Sequence, residues 1–306
     1  MANAFAAPTY GNPSSASADT METVEARGAA LEFLRRLAME VSKGTVDLPC
    51  FPKVVIQIRK ALADPNTTAE QTVTIVGAEP RLAARLLQTA NSTAFNLSGK
   101  PLTDLRSAIT RLGHQMVQSA AMAFAVQQMK DEQSLRCIAQ PMSDLWKECI
   151  SVASISQVVA RRTKVSPDEA FLTGLLHGIG RLYIMVRAVA GPTTIDSSAS
   201  FLSLVAGWHA PIGKAILENW SFSEEMCEAV GEQGDHERRH KHDADLSDVL
   251  IASIVLAEEL KATAPPIIDF ARVNAFQRIG LTPDNRTPIL KIARHQLASL
   301  HNALGC

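Results

Sequence analysis

The chain has 306 residues, 46% of them hydrophobic and 5% aromatic, with 30 Lys+Arg against 31 Asp+Glu and a formal net charge of −1. That length and apolar content support one large core or two modest ones. Balanced charge argues against a nucleic-acid binder, whose affinity comes from a basic excess facing phosphate, and the scarcity of aromatics argues against a base-stacking platform. The five cysteines (Cys50, Cys137, Cys149, Cys227, Cys306) are widely spaced with no Cys-x-x-Cys pair, which fits a reducing compartment better than a disulfide framework. No apolar run of about 18 residues occurs, and the N-terminus has no basic region followed by an apolar one. The expectation is a soluble cytoplasmic protein with no membrane partner.

In chain order, residues 1–20 are rich in Ala, Ser, Pro, Asn and Gly and read as a flexible tail. Leu31, Leu34, Leu37, Met39 and Val41 then mark an amphipathic helix from Met21 to about Val41, broken by Gly44. Pro49 and Pro52 make the next stretch a stiff connection. Val54, Val55, Ile58 and Leu62 form another apolar face. Thr67 with Glu70 suggests a capping box, and Pro80 suits the first turn of a helix to Ala90, stopped at Asn91-Ser92. Thr103 or Asp104 caps a helix ending at Gly113, and a further apolar helix runs from Gln115 to Met129.

The second half continues in the same texture, with a long helix over Met142–Arg162. Ser166-Pro167-Asp168-Glu169 opens a helix running to His177. Shorter helices are expected near 180–189, 198–208, 211–219 and 223–233. After a polar stretch from Gly234 to Asp245 come helices near 246–261, 270–279 and 287–303. Alternating β patterns are nearly absent and no fixed repeat appears, so the reading is an all-α protein.

Several strings together give the chain a family likeness. They are Leu48-Pro49 with Phe51-Pro52, Glu79-Pro80-Arg81-Leu82, and Leu86 through Asn91-Ser92-Thr93-Ala94-Phe95. Ser107-Ala108-Ile109, Leu112-Gly113, Leu145-Trp146 and Ala170 through Leu175-Leu176-His177-Gly178-Ile179-Gly180 complete the set. Over roughly 45–240 the chain resembles the HDOD family (HD-related output domain), a bacterial signalling module related to HD metal-dependent phosphohydrolases. The resemblance implies two helical lobes, an N-terminal one over 21–140 and an HD-like bundle over 141–303. It also implies a signal-transduction output or adaptor that works by protein contact downstream of two-component or cyclic-dinucleotide systems.

HD enzymes use a His, a His-Asp pair and a later Asp. Here the first station resembles Glu148, the pair is His177-Gly178, a downstream histidine doublet aligns with Glu232-Gln233, and the last acid falls at Glu258. Glycine at 178 can ligate nothing, and a two-metal centre needs a carboxylate there to bridge its ions and position a water. The expectation is therefore a chain that is not an enzyme and has no cofactor or resident metal, its cleft kept at most for a small anion or nucleotide. The alternative is a divergent phosphohydrolase using Glu148, His177 and Glu232 or Glu258.

Plainer roles stand beside these. His177 at a helix end serves as a cation or donor to free carbonyls, Glu148 as a solvated or salt-bridged acid, and Asn91-Ser92 as makers of local backbone bonds. His236 and His240 have a chelating spacing, but Arg238, Arg239 and Lys241 beside them favour a solvated loop or anion site. No phosphate-cradling Gly-rich loop occurs, and Ser119 and Ser151 lack a nucleophile's setting. The Leu105–Phe124 stretch, though helix–Gly–helix, is too apolar to enter a DNA groove.

Overall fold

The computed structural model describes residues 21–44, 46, 48, 51–64, 66–92, 95–96, 99–190, 199–261 and 272–304. The expected tail at 1–20, Pro49 of the stiff connection and Thr93-Ala94 of the family string lie outside them. Among the described residues there is no strand. The helices are α1 (Met21–Ser42), α2 (Lys53–Ala63), α3 (Ala69–Gly77), α4 (Pro80–Ala90), α5 (Leu105–Asp131), α6 (Ala139–Ala160) and α7 (Pro167–Leu176). They continue with α8 (Ile179–Ala190), α9 (Ala199–Asn219), α10 (Glu224–Glu232), α11 (Leu246–Lys261), α12 (Asn274–Ile279) and α13 (Pro283–Leu304). A 3-10 segment, Gln133–Ile138, joins α5 to α6. The protein is all-α.

Local chemistry sets the boundaries. Pro80 and Pro167 each sit in a first turn, where a missing N–H costs nothing, and the Ser166 Oγ accepts from the Glu169 N–H. Asp104, not Thr103, caps α5 by accepting from the Ser107 N–H at 2.8 Å. Gly113 (φ +72) kinks α5 where the sequence suggested one helix ending and another beginning. The capping box of α3 lies one residue later than the sequence suggested: Thr68 and Gln71 bond reciprocally at 2.8 and 3.2 Å. The Thr67 N–H is instead taken by the Asp64 carbonyl, and Glu70 pairs with Arg106 at 2.5 Å. Arg106 lies 36 residues from Glu70, outside the window that local pattern reading uses.

Two helices run through prolines. The expected helices at 198–208 and 211–219 are one, α9, and α13 begins at Pro283, before Pro288. Both prolines are exposed, as are Gly207 and Asp284, whose carbonyls lose their helical donors. Water replaces the missing bonds, so the breaks are cheap. α12 begins at Asn274; the earlier part of the expected 270–279 helix, residues 270–271, lies outside the described residues. It ends at Gly280, a left-handed C-cap with φ +68.

α6 is the central element, packing against α7, α11 and α13, while α5 gathers α2, α3 and α4 and also meets α6 and α7. α1 crosses to pack on α9. It buries Leu34, Leu37 and Val41, each contributing roughly 1.5–3 kcal/mol by leaving water. Arg187 to Glu40 (2.7 Å) and the Asn219 amide to the Val41 carbonyl (2.8 Å) fix this docking.

Close approach at the centre depends on glycine. A methyl at Gly174 would meet the Ala153 Cα at 2.7 Å, and one at Gly180 would meet the His209 carbonyl oxygen at 1.9 Å. These backbone collisions cannot be relieved by a rotamer change. Gly180→Ala is expected to cost at least roughly 2 kcal/mol through overpacking. Gly207→Ala in α9, where a methyl meets nothing within 4 Å, should be neutral or stabilise by up to about 1 kcal/mol. Urea midpoints of the two variants check the contrast.

Candidate functional site

Five helices converge around Glu148 and His177, two of the positions that the resemblance singled out. α6 contributes Glu148, the C-cap of α7 is His177, and α8 contributes Arg181. α9 brings His209, and α11 brings Glu258 and Lys261. The His177 Nδ1 donates to the Gly174 carbonyl at 2.7 Å, so this nitrogen carries a proton and the ring is locked against its own helix end. The donor role suggested for His177 by its position is thus the one its ring plays. Its Nε2 faces Arg181 Nη2 at 3.3 Å and Glu148 Oε1 at 3.7 Å.

Glu148 is only 14% exposed and is held by two cations. Arg181 donates to its Oε1, and the Lys261 ammonium donates to its Oε2 at 2.7 Å. Burial alone would raise this carboxyl, but hydrogen bonding with His177 and the Arg181 charge outweigh burial and hold it well below the usual carboxylate range. Glu258 lies nearby and half-buried. Burial pushes its carboxyl up, with Lys261 opposing and the Glu148 charge adding to the rise. Guanidinium and ammonium therefore stand around Glu148, where a metallohydrolase would place ions.

A side chain at position 178 would have to displace the ends of its neighbours' side chains. A Cβ there would lie 2.7 Å from the Cys149 sulfur and 2.9 Å from Leu145 Cδ1. The space beside it is an apolar cavity of about 20 Å³, lined by residues such as Met122, Val126, Trp146 and Leu182. Hydrocarbon walls of that kind would desolvate a carboxylate without giving it partners.

The remaining expected residues divide. Gln233 is buried and donates to the His177 carbonyl (3.2 Å) and the Val230 carbonyl (2.7 Å), tying the end of α10 to the end of α7. Glu232, expected beside His177, turns away to accept from Arg238 at 2.6 Å and Ser247 at 3.0 Å. Glu148, His177 and Glu232 do not form a ligand group among the described residues. The set present does not fit a two-metal centre. Asn91 reaches beyond its own helix end: its side chain exchanges two hydrogen bonds with Leu102, at 2.7 and 2.8 Å, and clamps the loop before α5. Ser92 makes the local bond expected of it, to the Thr89 carbonyl at 2.7 Å.

Sequence reading missed Arg181, Lys261 and His209. Arg181 had a signal, since it follows His177 by four residues across a tight helix junction. Lys261 and His209 had none, because only tertiary packing brings α11 and α9 to Glu148.

With this geometry in place, the comparisons are direct. The model of the HDOD domain matches residues 48–236, more than half of the sequence, and the chain belongs to the HDOD family. Among solved structures, a presumed metal-dependent phosphohydrolase from Shewanella amazonensis SB2B is 25% identical with a TM-score of 0.67, the match covering 89% of this chain and 99% of that one. An HDOD domain protein of unknown function from Geobacter sulfurreducens is 20% identical, with a TM-score of 0.56 and coverage of 90% and 98%. A presumed signal transduction protein from Marinobacter aquaeolei VT8 is 19% identical, with a TM-score of 0.59 and coverage of 91% and 66%. The latter two share the fold. An uncharacterized protein of Treponema pallidum is 20% identical over 215 residues, which are 64% of this chain but 39% of that protein. The chain thus spans about two-fifths of that relative's length. No described helix is long and apolar enough to cross a membrane.

The cluster predicts its own fragility. Arg181→Ala leaves a buried carboxylate short of a partner and is expected to cost about 3 kcal/mol. Glu148→Gln, which removes the charge that needs pairing, should cost less, and paired denaturation curves check the order.

The two histidines predict a pH profile. For His177, burial opposes the proton, while the Cys149 sulfur and Glu148 favour it, and the balance raises it to about 9. Its contribution is complete below an unfolded value near 6.5 and is lost as pH rises through about 9. His209 is pushed down to about 3 by burial first, then by the Arg181 and His177 charges, and its Nδ1 is buried without a hydrogen-bond partner. Its contribution is present above about 6.5 and is lost as pH falls toward 3. The melting temperature should therefore peak near pH 6.5. His177→Asn should flatten the alkaline limb and His209→Asn the acid limb in a thermal scan across pH.

Proposed function

We propose that this HDOD protein is a non-catalytic signal-transduction output or adaptor. It would act by protein–protein contact downstream of two-component or cyclic-dinucleotide signalling. The observation that carries the reading is the Glu148 cluster. At the station of a vanished metal ligand, a carboxylate is neutralised by Arg181 and Lys261 instead of by an ion. Water activation needs a Lewis acid with an open position and a base to take the proton. A carboxylate held between a guanidinium and an ammonium supplies neither.

A phosphohydrolase is the second reading, favoured by the description of the Shewanella amazonensis relative. One screen separates the two. The purified chain is assayed against phosphodiester and nucleotide substrates with Mn²⁺. No turnover above the level of His177→Ala is expected. Turnover that needs stoichiometric metal and disappears in His177→Ala would overturn the adaptor reading.

A further inference from the structure

A second polar cluster lies in the stretch between α10 and α11 and is used by neither the Glu148 site nor the core. Residues 234–245 follow no helix, so the chelating spacing of His236 and His240 does not operate as it would on one. His240 is brought instead to the first turn of α11. Its Nε2 lies 2.9 Å from Asp248 Oδ2 and 3.6 Å from Asp245 Oδ2. The three ligand atoms all lie within 4.8 Å of one another. A tetrahedral ion with bonds of about 2.0–2.1 Å needs ligand atoms about 3.3 Å apart, and both His240 separations bracket that length.

Charge points to the same place. Glu232, Asp245 and Asp248 surround one guanidinium, that of Arg238. It donates to Asp245 at 2.7 and 3.1 Å and to Glu232 at 2.6 Å, and lies 3.6 Å from Asp248 Oδ1. Three carboxylates therefore face one cation. Asp248 is fully buried, and its Oδ1 has no hydrogen-bond partner. A buried carboxylate with an unsatisfied oxygen in a carboxylate-rich pocket calls for further positive charge.

We propose that His240 Nε2, Asp245 Oδ2 and Asp248 Oδ2 bind a divalent transition-metal ion, best matched by Zn²⁺. The imidazole and the short edges disfavour Mg²⁺ and Ca²⁺, which prefer six or more oxygens at longer or octahedral spacing. Arg238 stays in place and orients Asp245 from outside the coordination shell, as partners of metal-bound carboxylates commonly do. The effect is a staple. Arg278 donates to the carbonyls of His240 and His242, and the Asn274 N–H to that of His236 at 3.0 Å. An ion at His240 therefore fastens the 234–245 stretch to α11 and α12 together.

The test uses the full chain, stripped with a chelator and titrated with Zn²⁺ and, as a spectroscopic probe, Co²⁺. One ion per chain is expected, with Co²⁺ spectra lacking a thiolate charge-transfer band, because no cysteine belongs to the cluster. His240→Ala should weaken binding at least about tenfold, His236→Ala should leave it unchanged, and Asp248→Asn should weaken it too. Since Asp248 Oδ2 also accepts from the N–H of Asp245, the residue that caps α11, the His240→Ala result decides if Asp248→Asn does not fold. No uptake by the parent chain, uptake indifferent to His240→Ala, or a thiolate band would each overturn the proposal. The last two would place the ion elsewhere, and the first would make His240 a simple ion-pair partner of Asp248.

Discussion

The closeness of four helices at the string from Gly174 to Gly180 governs both the shape of this protein and what its centre can do. Where α7 crosses α6 and α8 crosses α9, backbone meets backbone with no room for a methyl group. That packing density brings Glu148, His177 and Arg181 within a few ångströms. It also leaves residue 178 against the side chains of Cys149 and Leu145. Core and site are consequently one structure: the contacts that stabilise the bundle are those that hold the polar cluster together.

Once the bridging acid is absent, Glu148 becomes an electrostatic problem, and the chain's own cations solve it. Arg181 arrives from α8 and Lys261 from α11, so the neutralised carboxylate cross-links helices far apart in sequence. Gln233 adds a neutral tie, capping the carbonyl left open at the end of α7. The polar cluster is a set of joints between helices.

Much of the fold was legible in the sequence because helix-forming patterns and cap residues are local. Pro80, Pro167, Ser166 and Gly113 did what their chemistry predicts. The departures came where distant partners decided the outcome. Arg106 takes Glu70, which left the capping box to Thr68 and Gln71, and solvent exposure let α9 continue through Pro211. At the site, His177 and the glycine after it could be read directly from the motif. Glu232 could not, because Arg238 draws it away from the aligned position. Asn91 looked like a local stop signal, yet its hydrogen-bond partner is Leu102, eleven residues on.

The kinship match and the buried core do not have the same limits. Residues 48–236 carry the family pattern, but α1 lies before them and α13 after them. Both helices contribute interior side chains, Leu34, Leu37 and Val41 from one, Ile289, Leu290 and Ala293 from the other. A fragment trimmed to residues 48–236 would lose α11 and α12 as well and would bare greasy faces on α9 and α6. The stretch that carries the family pattern is thus shorter than the unit that keeps water out.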